Sequence, residues 1–131
     1  MCIRDRVTPV YAAILAVIFV ALSFRTLLLR RARDIPIGTA EDPVLTRAAR
    51  AHANFAEYVP LTLMLLYFLE TLTNAGMVLH VLCISLIVGR LVHAYGVSQV
   101  DEDYRFRVFG MVITLGTMIS AATRILASYV S

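Results

Sequence analysis

Four long apolar runs, each near the length of a bilayer and each set off by short polar segments, limit what this chain can become. The first, "VYAAILAVIFVALSF", covers Val10 to Phe24 and is followed by "RTLLLRR". The second runs from Ala48 to Leu69, the third from Ala75 to Gly96 and the fourth from Phe109 to Val130. A helix crosses ~30 Å of hydrocarbon with roughly 20 residues. Open β-structure is excluded there, because its edges would leave polar backbone groups unpaired in lipid. The pattern predicts an all-α integral membrane protein, a four-transmembrane-helix bundle with helices at about 9–30, 47–70, 75–96 and 105–130.

The balance of residue types agrees. Of 131 residues, 60% are hydrophobic and 16% charged, with a mean hydropathy of +0.78. A soluble domain carries about a quarter charged residues. Pro9 opens the first run, where a missing N–H costs a helix nothing. "RTLLLRRARD" reads as a stop, so the first helix stays in the membrane. Residues 1–8, beginning "MCIRDRV", are expected to be a disordered or non-native extension ahead of one domain spanning 9–131, and Cys2 is given no role. Cys83, alone in the third run, is expected to be a packed apolar thiol.

All twelve basic residues are arginines, and their placement is uneven. Arg30, Arg31, Arg33 and Arg47 stand in the first connection, flanked by Arg25 and Arg50; Arg105 and Arg107 end the third. "TLTNAG", between the second and third runs, has none. The positive-inside rule then puts both basic connections in the cytoplasm and both termini outside it. The +3 charge is divided between short membrane connections, which argues against nucleic acid as a partner. Anionic membrane lipids account for most of Arg30, Arg31 and Arg33.

The informative residues lie inside the runs. In "RAHANFAEYVP", Arg50, Asn54 and Glu57 are spaced by four and three and share a helix face, with Tyr58 beside them and Pro60 a turn later. The third run adds Arg90 and His93, with Tyr95 beyond, and "DEDYRFRVFG" brings Arg105 and Arg107 to the same depth. A charge at the centre of a membrane helix costs ~2.5–3.5 kcal/mol on the lenient scale. Glu57 is therefore expected to face protein and pair with Arg90 or Arg50. Arginines that outnumber nearby carboxylates suit a ligand that brings carboxylates of its own. Toward the other end, Glu70 is expected to be solvated at the interface, and Arg124 to snorkel outward or pair with it. Gly110, Gly116, Ala121 and Ala122 offer a small-residue face for close helix contact.

The stretch Arg50 to Pro60, with arginine, asparagine four on, glutamate three further and proline three further, resembles the second-helix signature of the MAPEG family. These are the membrane-associated proteins of eicosanoid and glutathione metabolism. "VGRLVHAYG", residues 88–96, resembles the family's third-helix segment at Arg90 and His93. The resemblance implies a bacterial-type member of the inner membrane, a homotrimer with glutathione bound in a cleft between neighbouring subunits at the cytosolic face. It implies that Arg30, Arg50, Asn54, Glu57, Tyr58, Arg90 and His93 hold the glutathione. It further implies that Arg107, or Arg105, stabilises the thiolate, with no metal involved. The activity so implied is glutathione transfer or peroxidase chemistry on a hydrophobic small-molecule electrophile dissolved in the bilayer. The alternative is a non-catalytic membrane scaffold or a lipid- or glutathione-binding module. A transporter ranks third, since four helices without an internal repeat make a poor alternating-access machine. Two departures are visible: Val97 stands where several active members carry a tyrosine, and the third connection is acidic, "DED".

Overall fold

The computed structural model of the chain describes residues 6–74 and 76–130. They form four helices, α1 (Thr8–Arg33), α2 (Pro43–Leu72), α3 (Gly76–Ser98) and α4 (Tyr104–Val130). All four are long and apolar enough to cross a membrane. The chain is a multi-pass membrane protein with the four-helix fold that its apolar runs predict.

The helix ends depart from the sequence reading in instructive places. α2 begins at Pro43, not 47, because Asp42 caps it: the Asp42 carboxylate accepts the Leu45 N–H at 2.9 Å, and Pro43 fills the first turn. Arg33 at the end of α1 pairs with the same carboxylate. The Leu45 amide and, less strongly, the Arg33 guanidinium hold Asp42 below the usual carboxylate range. The expected N-terminal extension is also too long. Residues 1–5, including Cys2, lie outside the described residues, as does Ala75 at the expected start of the third helix. Arg6, Val7 and Thr8, however, belong to the folded body. Arg6 lies over the Tyr67 ring, and the Glu70 carboxylate accepts the Val7 N–H at 2.6 Å and the Thr8 N–H at 3.3 Å. Glu70 is thus taken up in capping α1 from a neighbouring helix, neither left to solvent nor paired with Arg124.

Packing is closest between α3 and α4, and glycine makes it so. A Cβ on Gly110 would sit 2.6 Å from the Gly89 carbonyl oxygen and 2.7 Å from the His93 nitrogen. One on Gly96 would meet Phe106 at 2.8 Å and the Arg107 nitrogen at 2.9 Å. Gly110 and buried Ala121 fulfil the expected small-residue face, whereas Gly116 faces open space. α1 leans on α2 and the edge of α3 and does not meet α4 among the described residues. Polar ties hold it at several depths: Tyr11 Oη to His80 Nδ1 (2.8 Å), Ser23 Oγ to His52 Nε2 (2.9 Å) and Arg25 to Ser98 Oγ (2.5 Å). The apolar core gathers Leu15, Phe55, Leu66, Leu69, Leu79 and Leu86, with Cys83 packed among them as expected. Val17, Val20, Phe24 and Leu27 on α1 stay exposed, as lipid-facing residues do.

Candidate functional site

The α1–α2 and α3–α4 connections meet at one end of the bundle, and between them opens a cavity of about 650 Å³. Ligand sites commonly fall between about 300 and 1,000 Å³. α2 contributes Arg47, Arg50 and Asn54 to its wall, α3 contributes His93, and α4 contributes Arg107 and Met111. The α3–α4 glycine contact allows this convergence, because His93 and Arg107 each lie against a glycine of the opposite helix.

Beneath the cavity lies Arg90, 1% exposed. Its Nη2 donates to Asn54 Oδ1 at 2.5 Å and stands 3.4 Å from His93 Nδ1. Its Nη1 donates to Thr114 Oγ1 at 3.3 Å and approaches Met111 Sδ at 3.7 Å. The guanidinium lies 5.9 Å from the Phe55 ring centre, and its Nε has no hydrogen-bond partner. Each of these neighbours is uncharged or a weak acceptor. Buried charges are normally paired, since an isolated one is expensive in low dielectric. Among the described residues, the ion pairs are Arg33–Asp42, Arg47–Glu102, Arg50–Glu57 and Arg107–Glu102, and Arg90 belongs to none.

Of the two partners expected for Glu57, Arg50 is the one it meets, at 3.8 Å, and the expectation that Glu57 faces protein fails within the single subunit. Both side chains are more than half exposed there, 59% and 52%. Helix geometry gives the reason. Asn54 is rotated by about 60° from Glu57 around α2, which turns it toward α3 and leaves Glu57 on the outer face.

At the mouth, Glu102 does what sequence reasoning did not foresee. One of its oxygens is 3.1 Å from Nη1 of both Arg47 and Arg107, and its other oxygen accepts from Arg107 at 3.4 Å. Arg47 also donates to the Val97 carbonyl at 3.2 Å. Arg107 lies 5.5 Å from the Tyr104 ring centre.

The structure therefore brings together Arg50, Asn54, His93 and Arg107 around the cavity, with Arg90 buried behind Asn54 and His93. It separates others from it. Arg105 lies with Tyr104, Val108 and Phe109 along a shallow apolar surface of α4, so of the two arginines offered for the thiol only Arg107 faces the cavity. Arg30 donates to the carbonyls of Gly38 (2.5 Å) and Ile35 (3.4 Å), bracing the first connection. Tyr58, half-buried on α2, and Glu57 are absent from the cavity wall. Arg47, Glu102, Met111 and Thr114 are the residues the sequence reading missed. Met111 and Thr114 lie four and seven residues after Arg107, a helical spacing that would have placed them on its face.

The fold and site define a class: a small four-helix membrane protein with an arginine-walled cavity at one end of the bundle. Residues 8–127 match the MAPEG family, and the chain belongs to it. It is similar to the inner membrane protein YecN of Escherichia coli (strain K12), 32% identical over 108 residues, 82% of this chain and 81% of that one. The YecN protein of Escherichia coli O6:H1 shows the same identity over the same shares.

Proposed function

We propose that this protein is an inner-membrane glutathione-binding protein whose cavity at the basic, cytoplasmic end takes the tripeptide, for transfer to or reduction of hydrophobic electrophiles. Arg90 carries the reading: a fully buried guanidinium that forms no ion pair among the described residues, with Glu57 acting on it only from beyond ion-pair distance, joined to the cavity through Asn54 and His93. Glutathione brings two carboxylates, an amino group and a thiol. Arg50 and Asn54 on α2 and His93 on α3 would hold its polar groups, with Arg90 supplying positive potential from below. When bound it supplies a thiol, whose thiolate form is the nucleophile. Arg107 is the cavity-facing arginine on α4 and the group suited to favour that form. The proposed site is built without Arg105 and Arg30, which lie away from the cavity wall in the single subunit.

The assembly proposed with it is a homotrimer. The half-exposed Arg50–Glu57 pair at mid-helix supports this, because a second subunit laid over it would remove both charges from lipid. In that arrangement Glu57 and Tyr58 come to the site from the subunit boundary.

A second reading, a glutathione-binding module without turnover, is favoured by one observation: Arg107 is already engaged by Glu102. Calorimetric titration of the detergent-solubilised protein with glutathione, read together with the ultraviolet absorbance of the thiolate, separates the readings. Saturable binding with thiolate at neutral pH supports the transferase. Binding without thiolate supports the module. An absence of binding at millimolar glutathione would overturn both.

A further inference from the structure

Among the described residues, Glu102 is the acid at the cavity mouth that two arginines share. Its side chain is 4% exposed and in contact with Arg47 of α2 and Arg107 of α4. The backbone fixes it there. Gly96 packs directly on Phe106 and the Arg107 nitrogen, so the short connection 99–103 is pinned at both ends. The other charged or titratable groups facing the cavity among the described residues are Arg50 of α2, His93 of α3 and Glu41 of the first connection, with buried Arg90 of α3 standing 3.7 Å from Met111 Sδ. A carboxylate within hydrogen-bond reach of a guanidinium cancels most of the field that guanidinium would project onto a third group nearby.

We propose that Glu102 is a built-in counter-anion that sets how strongly the cavity stabilises negative charge, so that a thiol held beside Arg107 ionises less readily while Glu102 is in place. The part concerning a thiol ligand rests on the glutathione reading; the part concerning the cavity's field does not. Ionisation here sends the thiol proton to water and leaves the electron pair on sulfur. Glu102 opposes it by occupying the guanidinium that would stabilise the product. The transferase and module readings then differ by one carboxylate.

The test uses a reporter thiol and needs no glutathione. Met111 lines the cavity one turn beyond Arg107. Met111→Cys is made in the full chain with Glu102 intact and with Glu102→Gln. Iodoacetamide alkylation is then followed peptide by peptide, so that Cys2 and Cys83 are read separately. A one-unit fall in thiol pKa, at the low end of the effect of a freed neighbouring charge, raises the thiolate fraction about tenfold. The lower nucleophilicity of the more acidic thiolate removes about threefold of that, leaving a net gain of about threefold. The expected result is this faster alkylation at neutral pH, reversing at alkaline pH, where the thiol is ionised in both proteins and the less basic thiolate of the variant reacts about threefold more slowly. Should Glu102→Gln fail to fold, Glu102→Asp draws the carboxylate back by one methylene, and a smaller rise of the same kind is expected. An unchanged or slower neutral-pH rate in the variant that folds overturns the proposal. So does a rise of equal size at alkaline pH, which would mean easier access and not easier ionisation. If glutathione fails to bind the natural chain, the proposed function falls while this result stands on its own.

Discussion

Leu66, Leu69, Leu79 and Leu86 close one end of the bundle, while at the other end the same helices and α4 turn Asn54, Arg90, His93 and Thr114 inward. The backbone is equally helical in both halves, so secondary structure does not distinguish them. What differs is the kind of group that has been desolvated. At the leucine end the acid Glu70 is consumed by two amides at the start of α1, and its position follows from architecture alone. At the basic end a buried arginine is left with neutral partners and a cavity above it. Interhelical hydrogen bonds in lipid average only about 0.6 kcal/mol, so the polar interior is a weak way to hold helices together, and the proposed ligand would give it a use.

The contrast can be broken from the packing side first. Gly110→Leu should have the largest effect, about 3 kcal/mol, because the added atoms meet the Gly89 and His93 backbone and have no flexible neighbour to displace. Gly116→Leu, facing open space on the same helix, should leave thermal unfolding in detergent nearly unchanged. Equal effects of the two would contradict the α3–α4 geometry. Next, Leu66→Ala should cost about 2 kcal/mol through the cavity it leaves while sparing glutathione binding, since Leu66 lies outside the basic end. Loss of binding in that variant would mean that the two halves are not separable.

Smaller effects sharpen the picture at the helix ends. Glu70→Ala strands the Val7 and Thr8 amides and should cost about 1 kcal/mol, as losing a helix cap does. Limited proteolysis should find α1 cut earlier at its N-terminus, and an unchanged cleavage pattern would refute the cap. The smallest is a pH effect at Asp42. Its carboxyl is lowered in the folded chain, so its contribution is fully present above the ordinary carboxylate range and is lost as pH falls through the lowered folded value. Hydrogen exchange at the Leu45 amide should therefore gain protection with rising pH, after correction for intrinsic rates, and Asp42→Asn should keep the cap and lose that dependence.

Much of this was legible in the sequence, and the limits have physical causes. Apolar run length fixes four membrane helices, and the spacing of Arg50, Asn54, Arg90 and His93 brings the polar groups to one end. The apolar pattern alone starts α2 too late, because the cap at Asp42–Pro43 is a polar signal that precedes the apolar run. Periodicity could not say which member of a shared face turns inward, and so Asn54, not Glu57, became the partner of Arg90. Nor could it foresee Glu102, whose importance comes from the α3–α4 connection folding between Arg47 and Arg107. Glu70 was read as a surface charge because its partners are backbone amides 62 and 63 residues away in sequence.

The central claim, that the polar end is a ligand site and the leucine end is architecture, is tested most directly by amide hydrogen exchange of the solubilised protein with and without millimolar glutathione. The account predicts added protection confined to the start of α2, the segment from Arg90 to Val97 and the first turns of α4, with the Leu66–Leu86 region unchanged. Protection spread evenly over both ends, or none at all, would contradict it.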